Sequence, residues 1–88
     1  MDVKAVVDLA KRYVADLFSS EGLENVGLEE VDYDDVHETW HVTIGFSRPW
    51  DRQVIVGLNT GTRRAYKVVS IDKEGKVLSV KNRETTNA

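Results

Sequence analysis

The stretch WHVTIGF, residues Trp40 to Phe46, decides the fold. Trp40, Val42, Ile44 and Phe46 alternate with His41, Thr43 and Gly45, a two-residue period that predicts a β-strand with one face buried and one wet. Such a strand needs an apolar layer over its dry face and neighbours along its edges. The rest of the chain supplies both.

The covering layer is N-terminal. Val3, Val6, Val7, Ala10, Val14, Leu17 and Phe18 recur at steps of three and four, which lines one face of an α-helix. Lys4, Asp8, Arg12 and Asp16 fall four apart on the other side with alternating sign, and Gly22 supplies the left-handed position at which such a helix stops. Val26, Leu28, Val31 and Tyr33 mark a first strand, but their parity changes across Glu29 and Glu30, so a bulge is expected there. Asp34 and Asp35 make the turn into the central strand. Downstream, AYKVVSID (Ala65 to Asp72) and KVLSVKNR (Lys76 to Arg83) read as two further strands joined through Asp72, Lys73, Glu74 and Gly75. A glycine closing a connection of this length suits a type I turn that ends at positive φ.

Between Ser47 and Thr62 the pattern breaks. Pro49, Gly57, Asn59 and Gly61 are punctuation, yet Val54, Ile55, Val56 and Leu58 are too apolar for a fully solvated loop. Either the central strand continues past Pro49 into a hairpin arm with Asn59, Thr60 and Gly61 at its tip, or the segment is a mobile flap. The arm is preferred, because long structureless connections are uncommon in compact domains. The expected fold is therefore α+β: one N-terminal helix packed on a four-stranded antiparallel meander, with a long arm between the second and third strands.

Composition agrees. Eighty-eight residues, 41% hydrophobic and 31% charged, describe one ordinary globular domain, with residues Glu84 to Ala88 expected to fray. No apolar run approaches the roughly 18 residues of a spanning helix, and no secretory signal pattern is visible, so no membrane association and a cytoplasmic location are expected. There is no cysteine, which removes disulfides, thiolate catalysis and cysteine-based metal sites.

The net charge of -3 hides a segregation. Glu21, Glu24, Glu29, Glu30, Asp32, Asp34, Asp35 and Glu38 occur in a stretch without lysine or arginine. From Arg48 to Arg83 there are nine basic residues against Asp51, Asp72 and Glu74. Neighbouring strands that pair opposite charges across one sheet face would explain this. A basic surface for an anionic partner, or a head-to-tail contact between copies, would explain it differently.

Catalytic patterns are missing. His37 and His41 stand near Asp32, Asp34, Asp35 and Glu38, but the block has no central glycine and no terminal bidentate glutamate, so it fails the calcium-loop pattern. Ser19, Ser20, Ser47, Ser70 and Ser79 occupy no nucleophile elbow. GLNTGT, from Gly57 to Thr62, lacks the ending of a phosphate loop and a following helix. The expectation is a non-enzymatic chain with no metal and no cofactor.

Binding is the better expectation. Trp40 has core parity, whereas Trp50 follows Pro49 between Arg48 and Asp51, with Arg52 beyond. Tryptophan and arginine anchor interfaces where they cluster on a surface; equally, Trp50 could fold over the open end of the core with Arg48 stacked on it. The candidate partner-binding residues are Arg48, Trp50, Arg52, Arg63 and Arg64 on the arm and His41 on the wet face of the sheet. They imply a protein-binding or regulatory module of inhibitor or immunity type whose protein partner is unidentified. Two other readings stay open: a homodimer through the arm or a sheet edge, and an anionic-ligand or single-stranded nucleic-acid site at Arg48, Arg52, Arg63, Arg64 and Lys67. A pI near 5.3 disfavours nucleic acid.

The N-terminal helix, the strand around Trp40 and Val42, and the closing hairpin YKVVSIDKEGKVLSVK (Tyr66 to Lys81) together resemble PepSY-type domains. The likeness rests chiefly on Ile71, Asp72, Gly75, Lys76, Val77 and Leu78. It implies a helix packed on an antiparallel sheet and regulatory or inhibitory binding, often outside the cytoplasm and beside peptidases, without catalytic residues. The chain departs from the pattern in showing no signal peptide and in its long basic Ser47 to Arg64 insertion. Cystatin-like architecture, a helix against a meander, is the wider analogy.

Overall fold

The computed structural model describes residues 1–49 and 64–83. Helix α1 (Val3–Leu17) leads through a 3-10 turn (Ser19–Glu21) into strands β1 (Glu24–Asp34), β2 (Thr39–Ser47), β3 (Ala65–Asp72) and β4 (Val77–Asn82). The strands form one antiparallel sheet in the order β1-β2-β3-β4, a meander. The predicted arm and the tail beyond Arg83 lie outside the described residues.

Helix α1 starts where Asp2 caps it, its carboxylate accepting from the Ala5 N–H at 2.8 Å. Of the apolar stripe, Val6, Ala10 and Val14 are fully buried, one turn apart on a single line. They meet Val42, Ile44 and Phe46 of β2 and Val69 and Ile71 of β3 in one core, which Phe18, Leu23, Val26, Val31, Trp40 and Val80 flank. Small β-branched residues and one alanine let helix and sheet approach closely. The Phe18 and Phe46 rings, 5.7 Å apart, close one end, and Tyr33 against Trp40, 4.8 Å apart, closes the other.

Two local expectations hold. The register of β1 against β2 slips between Leu28 and Glu30, which is the expected bulge, and slips again between Glu24 and Gly27, where Asn25 takes φ 55°. The β3–β4 turn closes at Gly75 with φ 88°, and the Asp72 carboxylate accepts from the N–H groups of Glu74 and Lys76, both at 2.9 Å.

Two details differ from expectation. Gly22, at φ 63°, ends the 3-10 turn, whereas α1 itself ends at Phe18 with negative φ; the chain tightens before it turns. The central strand is not wet on its outer face. Thr43 and Ser47 are 5% and 1% exposed, and Gly45 is also buried, so β2 is covered on both sides from Val42 to Ser47.

The outer cover is partly electrostatic. Gly45 pairs with Gly27 of β1, and the Arg64 guanidinium and Glu29 carboxylate lie over the recess these two glycines leave. Arg64 and Glu29 form an ion pair at 3.2 Å, and Arg83, just beyond β4, reaches Glu30 of β1 at 3.3 Å. The second contact spans the sheet from one outer strand to the other.

Because Phe46 and Ile44 are wholly buried, Phe46→Ala should cost about 3–5 kcal/mol and Ile44→Ala about 2–5 kcal/mol. Val36→Ser, at an 82% exposed turn position, should stay within about 0.5 kcal/mol. Urea unfolding monitored by tryptophan fluorescence measures all three.

Candidate functional site

The charge segregation seen along the chain is consumed by the fold. Glu21 pairs with Arg48 at 3.6 Å, Glu29 with Arg64 at 3.2 Å, Glu30 with Arg83 at 3.3 Å and Glu38 with Lys73 at 3.0 Å. Each pair joins the acidic front half to the basic back half. Exposed pairs contribute little stability individually, on the order of 0–1 kcal/mol, but together they engage Arg48, Arg64, Lys73 and Arg83 within the fold. Asp32 and Asp35 form no ion pair among the described residues.

Of the sequence-predicted site, Arg48, Arg64 and His41 fall among the described residues. Arg48 is mostly buried, paired with Glu21 and placed 5.7 Å above the Phe46 ring. Arg64 is held over Gly45 by Glu29. His41 lies on the sheet face away from α1, half-buried, with Nδ1 3.2 Å from Ser70 Oγ. Trp50, Arg52 and Arg63 lie outside the described residues, so the arm cluster has no described geometry.

The outer face carries one arrangement worth weighing as chemistry. Asp32, His41 and Ser70 occupy one cross-strand row over β1, β2 and β3. An acid, an imidazole and a hydroxyl in line resemble a hydrolytic triad. The inner strands β2 and β3, however, commit their amides to the sheet ladder on both sides, so neither strand turns a pair of N–H groups outward toward this row. Among the described residues no group of three or more His, Asp or Glu could hold a metal ion, and no helix is long and apolar enough to cross a membrane.

The surface that sequence reasoning missed lies on the helix side. Between α1 and β1 runs an open groove of about 490 Å³, lined by Val3, Val7, Leu28 and Val31 with Lys4, Asp8 and Lys11 alongside. Only β1 lines it from the sheet, so it opens along the outermost strand. Val3 is 45% exposed and Leu28 41%, and Tyr33 follows Val31 on the same face of β1 toward the β1–β2 turn. Its signal in the sequence is an apolar helix stripe wider than the single buried line of Val6, Ala10 and Val14, together with Leu28 and Val31 on either side of the bulge.

Beside the groove, β1 is an edge strand: among the described residues only β2 pairs with it. Its first half is broken by two bulges, a common protection against stray pairing. From Glu30 to Asp34 it pairs residue for residue with β2. There Val31 and Tyr33 share the helix-side face with Val42 and Trp40, while Glu30, Asp32 and Asp34 share the outer face with Thr43, His41 and Thr39. The turn that follows is pinned by Asp34, whose Oδ1 accepts from the Val36 N–H at 3.0 Å and whose Oδ2 lies 2.6 Å from His37 Nδ1.

Comparison with family models, with curated proteins and with solved structures gives no match. The groove and the edge therefore have to speak through their own chemistry.

Gly45→Ala tests the charged cover. An added methyl group would sit 2.8 Å from both Arg64 Nη2 and Glu29 Oε2, so the pair must shift, at a cost of about 1 kcal/mol in urea unfolding, the low end for overpacking because both side chains are flexible.

Asp34 gives a pH dependence. The side-chain hydrogen bond from His37, then that from the His37 amide, holds its carboxyl below the usual carboxylate range. A lowered folded-state value makes its contribution present above about pH 4 and lost as pH falls through that value. Asp34→Asn should therefore lower the melting temperature at pH 6, and the difference should vanish near pH 2.

Proposed function

We propose that this chain is a non-enzymatic protein-binding module of regulatory, inhibitor or immunity type, and that its binding surface is the α1–β1 groove with the adjoining edge of β1. One observation carries the reading: a regular edge-strand segment, Glu30 to Asp34, borders an exposed apolar groove floored by Val3, Val7, Leu28 and Val31. An extended segment added to such an edge gains main-chain hydrogen bonds along the strand and drops alternate side chains into the groove. Apolar surface that the core leaves uncovered beside open hydrogen-bonding groups is what strand addition requires. The PepSY-type resemblance points to the same class of role.

This reading moves the binding surface from the Arg/Trp arm and the His41 face to the helix side. The nucleic-acid alternative is weakened by the pairing of Arg48, Arg64, Lys73 and Arg83 with glutamates. A homodimer joined through the β1 edge would compete with the partner for that surface.

Selection of displayed random peptides on the immobilised protein tests the proposal. Selected peptides should perturb the amide NMR signals of Val3, Val7 and Leu28 to Asp34. Leu28→Glu should weaken them more than tenfold while leaving the melting temperature within a few degrees, since Leu28 is already 41% exposed. Perturbations centred on His41 and Ser70 instead would count against the groove.

A further inference from the structure

The edge segment is sided in charge as well as in polarity. On the outer face of β1 stand Glu30, Asp32 and Asp34, two residues apart, with no lysine or arginine on the strand. On the groove face of the same segment stand Val31 and Tyr33. A strand added to this edge presents its own alternate side chains to these two rows at once.

The helix side of the groove differs in sign. Lys4 and Lys11 flank it, while Asp8 is engaged by Arg12. Negative potential on this edge is therefore confined to the outer row. Glu30 is shared with Arg83, and Asp34 with His37, but both carboxylates remain partly exposed and Asp32 has no ion pair among the described residues. Desolvating that row against an uncharged strand would lose hydration without compensation, whereas a cationic strand supplies it.

The row also bears on self-pairing. Two copies joined β1 to β1 would bring Glu30, Asp32 and Asp34 against the same three residues, and like charges directly opposed across strands are destabilising. The acidic row thus rejects the symmetric dimer and selects a partner of opposite charge, attraction and repulsion acting through the same residues.

We infer that the occupant of the β1 edge is an extended segment of another protein in which apolar residues alternate with lysine or arginine, the apolar set entering the groove over Leu28 and Val31 and the basic set lying along Glu30, Asp32 and Asp34. This rests on the strand-addition reading above and specifies its partner.

The test uses three labelled nine-residue peptides in which valine alternates with lysine, with serine or with glutamate. Binding to the full chain is followed by fluorescence polarisation at low and high salt and located by amide NMR shifts. The lysine peptide should bind about tenfold tighter than the serine peptide, as expected of a few exposed ion pairs, and the glutamate peptide should bind weakest. The lysine advantage should shrink at high salt. Asp32→Lys, which breaks no ion pair among the described residues, should reduce the lysine preference and improve glutamate-peptide binding.

If the serine and lysine peptides bind equally at Leu28 to Asp34, the charge inference is overturned while strand addition stands. If no peptide perturbs Val3, Val7 or Leu28 to Asp34, strand addition fails and takes the inference with it. Sedimentation covers the remaining occupant. Head-to-tail oligomers of the unmodified chain that Asp32→Lys dissolves would assign the edge to a second copy, whose β4 carries Lys81, and would overturn the inference.

Discussion

A single α-helix, about 10 Å across, cannot cover a four-stranded sheet whose strands stand about 4.8 Å apart. Much of this molecule follows from that constraint. Helix α1 lies chiefly over β1 and β2, less over β3, and spends its fully buried line, Val6, Ala10 and Val14, on the two inner strands. The core is consequently central and narrow, and the periphery of the same sheet face keeps apolar residues that nothing in the described chain covers. Leu28 and Tyr33 on the β1 side are both 40% exposed or more. A second helix would have buried them. The described residues hold none, so they form surface, and on the β1 side that surface becomes a groove.

The opposite face is finished by different means. Among the described residues no helix packs there; small or polar residues, Gly27, Thr43, Gly45, Ser47 and Ser70, share it with Val68 and Tyr66 of β3. Charged side chains that start on the outer strands lean across it, Glu29 to Arg64 and Glu30 to Arg83. The two glycines matter because the ion pair needs the space that a β-carbon would take. Such pairs contribute little stability each. Their larger consequence is that Arg64 and Arg83, which look available in the sequence, are already engaged by glutamates.

The two outer strands are then left with opposite character. β1 is long, acidic and regular only in its second half, whereas β4 is short and carries Lys81 with Arg83 just beyond it. Edge strands are the places where a sheet meets other chains, and their charge decides which chains. Under the proposed strand addition, the acidic row on β1 would act as a filter where backbone hydrogen bonds supply affinity without sequence preference.

Much of this fold was legible from local pattern. The two-residue alternation of Trp40 to Phe46, the helical spacing from Val3 to Phe18, the parity change at Glu29 and Glu30, and Gly75 at the hairpin turn each report a neighbour within a few residues. The candidate site was much less legible. Arg48 and Arg64 read as free cations because their partners, Glu21 and Glu29, lie 27 and 35 positions away. His41 read as wet because alternation distinguishes two faces without saying what covers the second. The sequence by itself determined which residues form strands and helix and which side of each is apolar, because those properties depend on side-chain spacing along one segment. Only the tertiary structure decided that one helix would leave Leu28 and Val31 beside an open groove, and that Glu29 and Glu30 would be paired with arginines across the outer face. Those outcomes depend on strand order and on the width of a helix relative to a sheet, and neither is written in any local period.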